Sequence, residues 1–541
     1  MLMQDRSHKL LCFRETSHFP QQAFGAPMIP FELLDCHSKR GVEETRTFFP
    51  TSNPMLIHFD EIYPSIKSGV VTIEKEHSTD SYRGMKHFRS GESELVEEKG
   101  EGRSRKQCAA YKDEDDLSEM FDKVLLCTDI SPFGAGKQQQ KGRSGCKGST
   151  YKRGYEFEFV NVESLLLSCA KSIAAANYKV AVEQLKTIRQ YSSPTGDPNQ
   201  RLAHAFVDSL EARLAGTGAE LYPSSSFHNK MVVPEMQKSN ISSYVPFMRM
   251  SIFFANRMIY EAASKGASLH VIDFGILHGI QWPTLIRDLS QRPGGPPKLR
   301  ITGIELPQPG FRPSQMVLET GSRLAKYCHR FGVPFEYNSV TSKNWEAIKI
   351  DDLKLAMGEV VAVNCTLRLK RLLDETVCGV DCPRDGVLNL IREVNPHIFV
   401  HSVVSASYGS PFFVNRVRSA LSYFSAGFDM LETIFPRSNS ERLNFELAVL
   451  GPVIANIVAC EGMERLERPE TYIQWQNRIT RAGFRQMVLN PQIFKKIRDM
   501  AREGCHKDFL FAEDGHWVLQ GWKGRILFGS SAWTTHNHNI L

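Results

Sequence analysis

The stretch "SLHVIDFGILHGIQWPTLIRD", residues 268–288, constrains the fold of this chain more than any other feature. A short apolar run meets a glycine-containing turn, and apolar residues at helical spacing follow. A strand, a tight turn and a helix in that order open a parallel, doubly wound α/β sheet, because the chain must cross back over one face before the next strand. The segments downstream keep the same rhythm. "KLRITGIEL", "PFEYNSV", "GEVVAVNCTL" and "PHIFVHSVV" read as strands, alternating with helical stretches such as "SQMVLETGSRLAKYCHRFG". Near residue 509 the rhythm breaks. "DFLFAEDGHWVLQGWKGRILFGSSAW" is strand-like throughout, and a turn at Asp514-Gly515 predicts an antiparallel hairpin that closes the sheet edge.

Two regions precede this α/β part. From about residue 158, Leu165, Leu166, Cys169 and Ile173 share one helical face, and Val182, Leu185 and Ile188 share another. A third helix announces both of its ends. Asp197 is placed as N-cap with Pro198 at the first helical position, Gln200 completes a capping box, and Gly216 stops the helix. Leu202, Phe206, Leu210 and Leu214 form its stripe. These helices read as a cap on the α/β part, with faces either packed inward or meeting another subunit.

Residues 1–155 are different. Stretches such as "SGESELVEEKGEGRSRKQ" show no sustained period and too little apolar surface to offset the entropy of ordering, so a disordered arm is expected. Two islands interrupt it. Residues 113–127, "DEDDLSEMFDKVLLC", place Leu117, Met120, Phe121, Val124 and Leu125 at helical spacing among acids. That pattern suits either a segment folding into a partner's groove or a short stray helix. Residues 137–153 carry Lys137, Lys141, Arg143, Lys147, Lys152 and Arg153 with no acid, as an import or phosphate-contacting patch would, and as a solvated linker would.

Bulk properties narrow the classes. A net charge of +6 over 541 residues permits an acidic partner but does not argue for nucleic acid, which would want a concentrated basic face. No secretory signal and no run of the roughly 20 apolar residues that span a bilayer are apparent, so no membrane association is expected. The twelve cysteines are scattered, and Cys378 and Cys382 form the one close pair, which predicts reduced thiols rather than a metal site.

The opening stretch also bears on chemistry. A parallel sheet ended by antiparallel strands is the layout of S-adenosylmethionine-dependent methyltransferases. There, glycines after the first strand admit the cofactor and an acid ending the second strand takes the ribose hydroxyls. Here Asp273 ends the first strand, Gly275 and Gly279 lie in the turn, and Glu305 ends the second. The frame is present, but Ile276, Leu277 and His278 stand where a cofactor needs space, and Trp282 crowds the mouth of the turn. No cofactor is expected. Asp273 is predicted to cap the turn by accepting backbone N–H bonds. The opposing reading is a methyltransferase that uses this frame.

"LHVIDFGILHGIQWP" resembles the VHIID motif of the GRAS family of plant transcriptional regulators, with Leu269, His270, Val271, Ile272 and Asp273 as the motif residues. The resemblance runs from about residue 159 to 534 and divides a domain at 156–541 into five regions. They are a first leucine-rich region (159–219), the VHIID region (238–303), a second leucine-rich region (319–351), a PFYRE region (360–454) and a SAW region (457–534). With "MFDKVLLC" in the arm, the wording is most similar to the scarecrow-like (LISCL-type) subgroup. The resemblance implies a nuclear, non-enzymatic transcription regulator with a methyltransferase-like α/β fold and a helical cap. It implies partners among transcription factors and co-regulators, homo- or heterodimers with other GRAS proteins through the cap, and DNA contact in some members. At the PFYRE Arg-Glu pair this chain has Arg418-Ser419. "LKRLL" matches the LxxLL pattern by which amphipathic helices dock on co-regulators through Leu369, Leu372 and Leu373, and such patterns also arise in ordinary packed helices. Arg465, Glu467, Arg468 and Glu470 are expected as surface or paired structural charges, and Trp475, Trp517, Trp522 and Trp533 as packing.

Overall fold

The structure, a computed structural model, describes residues 161–221 and 246–535. The two islands of the N-terminal arm, 113–127 and 137–153, lie outside the described residues.

Three helices come first: α1 (Val162–Ala174), α2 (Tyr178–Tyr191) and α3 (Pro198–Ala215). The ends of α3 follow from its sequence. Asp197 accepts from the Gln200 backbone N–H, the Gln200 side chain accepts from the Asp197 N–H in return, and Gly216 takes the left-handed C-cap conformation at φ 71°. After α4 (Pro246–Ala262) comes β1 (Ser268–Phe274). The alternation continues through α5 (Trp282–Ser290), β2 (Lys298–Glu305), α6 (Gln315–Arg330), β3 (Phe335–Thr341), β4 (Val360–Thr366), α7 (Pro383–Val394) and β5 (Ile398–Val404). Helices α8 (Phe413–Ile434) and α9 (Ser440–Ala459) then return to the cap. The chain closes with α10 (Tyr472–Arg481), β6 (Arg485–Gln486), α11 (Pro491–Gly504), β7 (Phe509–Asp514), β8 (Trp517–Trp522) and β9 (Arg525–Thr534).

The nine strands form one sheet in the order β3-β2-β1-β4-β5-β9-β8-β7, with β6 paired to β9. Strands β1 to β5 are parallel, and β9 runs antiparallel to β5. The last three strands are a meander rather than the single expected hairpin. The turn after Asp514 is present, with Gly515 at φ 58°, and a second turn at Lys523-Gly524, both residues at positive φ, divides what sequence patterning merges into one strand. Lys-Gly is a weaker turn signal than Asp-Gly because lysine, unlike aspartate, has no side-chain acceptor to bond its own backbone.

Both faces of the parallel strands are covered, which is why β1 and β5 read as continuous apolar runs. One core, with Val271, Trp282, Leu285 and Leu324, lies beneath α4, α5, α6 and α11. The opposite core holds Ile272, Phe399, Trp475, Trp517 and Trp533 beneath α7 and α10. A third joins α1, α2 and α3 to α8 and α9 through Phe206, Leu210, Phe424 and Ile457. All six tryptophans of the chain are buried.

One helix departs from the sequence expectation. Ser440–Ala459 is long and apolar enough, by length and composition, to cross a membrane. Its role in the fold is that of a packed helix. A π-helical turn at Glu446–Leu450 points Glu446 inward, where its carboxylate binds Arg442 at 2.6 Å and Arg201 of α3 at 3.0 Å. Arg201, itself buried, also reaches Glu432 at 2.7 Å and the Gly196 carbonyl. Removing one partner strands the others in low dielectric. Arg201→Ala should therefore lower stability to urea unfolding by about 3–5 kcal/mol, and Arg201→Met combined with Glu446→Leu and Arg442→Met should recover most of the loss, because the buried charges then leave together.

Candidate functional site

In a doubly wound sheet the ligand crevice lies beyond the carboxyl ends of the strands where strand order reverses, here between β1 and β4. Asp273 and Asn364 are register partners at that point. The Asn364 amide donates to Asp273 Oδ1 at 2.8 Å, and the Trp282 indole N–H donates to Asp273 Oδ2 at 2.9 Å. Gln281, just before α5, donates to Asn256 and Asn364 and accepts from Thr366, while Asn256 donates to the Gln281 carbonyl and to Thr284. A carboxylate, an indole and three amides thus satisfy one another inside the crevice.

Asp273 therefore accepts from side chains and not from the backbone of the turn, as its sequence suggests. Trp282 is fully buried in the core rather than at the mouth of the turn. Glu305 does the capping instead. Its carboxylate accepts from the backbone N–H groups of Leu277 and Leu306, each at 3.0 Å, and forms an ion pair with Arg368 at 2.8 Å. The acid that would take ribose hydroxyls is buried and occupied. Gly275 sits at φ 92°, and a Cβ there would fall 2.5 Å from the Arg368 side chain. The glycine does permit a close approach, but of this chain's own arginine. Ile276 is buried against Gly303, and Gly279, at φ 71°, fits against Thr320 and Leu324 of α6.

The remaining motif residues are structural neighbours of this plug. Leu269, Val271 and Ile272 are core residues, and His270, on the face away from Asp273, places Nε2 2.8 Å from Thr302 Oγ1 and Nδ1 3.5 Å from Glu359. Burial pulls His270 down to about 4, and burial next to Arg323 does the same to His278. Among the described residues neither ring nitrogen of His278 has a hydrogen-bond partner.

The LxxLL segment does not form the amphipathic helix that docking requires. Leu369–Arg371 is one 3-10 turn with Leu369 buried in the core, and Leu372 and Leu373 are half-buried. It is held down by the "RLERPE" segment: Lys370 and Arg371 pair with Glu467, and Arg468 pairs with Asp374 at 2.9 Å. Arg384 and Arg478 both pair with Glu470. The charges read as surface or paired are thus buried, with Glu467 wholly so. Arg418, at the altered PFYRE pair, is exposed and bonds Asn415. Arg368, Asn364, Gln281 and Asn256 were not visible as site residues in the sequence. They lie up to 91 residues from the groups they bind, and the register of β1 against β4 brings Asn364 to Asp273.

Among the described residues no group of three or more His, Cys, Asp or Glu side chains is placed to hold a metal. Clefts of about 170 and 390 Å³ lie instead on the cap, the first between α3 and α9, the second along α1 and α2.

Burial raises the Asp273 carboxyl to about 7. A carboxyl with a raised folded-state pKa stabilises the fold fully below its unfolded value, and that contribution is lost as pH rises through about 7. The stability of Asp273→Asn relative to the unsubstituted chain should therefore improve between pH 5 and pH 8 in urea titrations. A pH-independent difference would contradict the raised pKa.

Comparison with known proteins places this geometry. A model of the GRAS domain family matches residues 162–534. Scarecrow-like protein 14 of Arabidopsis thaliana is 43% identical, the match covering 94% of this chain and 70% of that protein. Scarecrow-like transcription factor PAT1 of Arabidopsis thaliana is 33% identical, over 77% of this chain and 83% of its own length. The crystal structure of SCL7 from Oryza sativa is 28% identical with a TM-score of 0.59, covering 69% of this chain and 99% of that one. By family match and by relatives over most of its length, this chain belongs to the GRAS domain family as a scarecrow-like protein.

Proposed function

We propose that this chain is a nuclear, non-enzymatic regulator of transcription that works by binding other proteins. The observation that carries the reading is the closed crossover. Glu305 is engaged by Arg368 and two backbone N–H groups, and Asp273 by Trp282 and Asn364, so both acids of the frame are bound within the chain. A fold without a working crevice must act through its surfaces. The family's membership of transcription regulators, one of them named a transcription factor, supports the same direction.

In this reading the arm (1–155) recruits the transcription machinery through 113–127 and carries an import signal in 137–153, and the GRAS domain (156–541), with its five regions, binds transcription factors and co-regulators. The cap supplies a dimer face, where Tyr178 and Val180 of α2 are about half exposed beside the larger cleft.

Two measurements test it. Calorimetric titration of the full chain with S-adenosylmethionine should release no heat; micromolar binding that disappears in Glu305→Ala would restore the enzyme. Tethered to a promoter through a heterologous DNA-binding module, the chain should change reporter transcription, and an unchanged reporter would count against the regulator.

A further inference from the structure

Three loops at one edge of the molecule each expose an apolar side chain. Val380, in the loop 375–382, is 99% exposed; Phe412, in the loop 405–412, is 60% exposed; Met463, in the loop 461–464, is 71% exposed. Exposed apolar residues scattered singly need no explanation, but these are not scattered. One guanidinium spans each gap between the loops. Arg468 donates to Thr376 Oγ1 at 3.0 Å and to the Gly462 carbonyl at 2.7 Å, tying the first loop to the third. Arg416 donates to the Ser410 and Pro411 carbonyls, each at 3.1 Å, and to the Glu461 carboxylate, tying the second loop to the third. Arg465 adds a bond to the Gly409 carbonyl at 3.1 Å. All three arginines are buried, so the loops form a fixed platform with its cations underneath.

The charge on the outer side has one sign. The three loops contain Glu375, Asp381, Glu461 and Glu464 and no lysine or arginine. Arg478 neutralises Glu375, and Arg213 and Arg416 neutralise Glu461. Asp381 and Glu464 are exposed, and no ion pair reaches either among the described residues. The three tied segments therefore present Phe412, Met463 and Val380 to solvent, together with two carboxylates that no ion pair reaches among the described residues. An aromatic anchor and an adaptable methionine are the residue types that concentrate binding energy at interfaces, and rigid loops hold them ready at little entropic cost.

We infer that this platform docks a partner protein's amphipathic helix, whose apolar stripe covers Phe412, Met463 and Val380 and whose flanking lysines or arginines meet Asp381 and Glu464. The inference rests on the reading that the chain acts through protein partners and names one surface for it. An acidic segment is the wrong occupant on charge, which excludes the chain's own 113–127 stretch with its six acids and one lysine.

The test uses the full chain and two synthetic 18-residue helical peptides with one leucine stripe, flanked by lysine in one and by glutamate in the other. Fluorescence anisotropy should show the lysine peptide binding at least tenfold more tightly. Met463→Asp should weaken it tenfold or more without changing the unfolding temperature, because Met463 is 71% exposed. Asp381→Lys combined with Glu464→Lys should reverse the preference towards the glutamate peptide, which holds the test even if the change at Met463 disturbs the fold. Binding of neither peptide, equal affinity for both, or a preference untouched by the charge reversal would overturn the inference. So would self-association abolished by Met463→Asp, which would assign the face to a second copy. A promoter-tethered chain that still alters transcription while binding neither peptide sinks this surface alone, whereas loss of the transcriptional response sinks the broader reading.

Discussion

The hydrogen bond between Asn364 and Asp273, register partners on β4 and β1, closes the point where a doubly wound sheet would otherwise split open. Strand order reverses there, the following helices diverge to opposite faces, and the gap between them must be filled by something. Here the filling is internal. Trp282 brings a large apolar ring and one N–H donor, and Gln281 brings an amide that satisfies its neighbours. Each of these polar groups would cost about 1–3 kcal/mol if buried without a partner, so the set holds together as a unit or not at all. Once the gap is closed from within, the fold keeps the geometry of a cofactor-binding sheet while its interior does the work of a core.

A second set of interactions fixes the outside. Buried arginines at 201, 384, 416, 465, 468 and 478 each bond carbonyls or carboxylates from distant segments. Ion pairs of this kind add little net stability compared with apolar packing of the same volume, since desolvation consumes most of the Coulombic gain. Their value lies in direction. An arginine fork specifies where two loops sit relative to each other, which apolar contact does less sharply. The cap helices α3, α8 and α9 are located relative to one another by Arg201, and the loops around residues 375, 410 and 462 are located by Arg416 and Arg468.

How much of this could be read from the sequence depends on how far apart the interacting residues lie. The limits of α3 were legible because Asp197, Pro198, Gln200 and Gly216 act within one or two turns of each other. Strands β1 to β5 were legible because burial on both faces leaves an apolar run. The plug was legible in part: Ile276 and Trp282 stand beside the glycines they obstruct, so crowding was apparent, but Arg368 lies 63 residues from Glu305 and carries no local mark of its role. The charges of "RLERPE" were legible as paired but not as buried. A run of alternating signs looks solvated, and only the opposing segment at 370–384 reveals that it is buried. Of the two readings of the LxxLL match, packing holds at Leu369, although a five-residue pattern cannot tell an α-helix from a 3-10 turn pinned from above.

The position of β9 carries one more consequence. It lies inside the sheet, between β5 and β8, yet it is formed by residues 525–534, more than 120 positions after the strand it pairs with. During synthesis β5 must therefore wait, with every one of its residues destined for burial and one backbone edge unpaired, until the ribosome has delivered nearly all of the described chain. An apolar strand with an open edge is a template for pairing with other chains. The nascent protein is most vulnerable to aggregation in that interval, and a chaperone that shields the β5 edge would protect it longest.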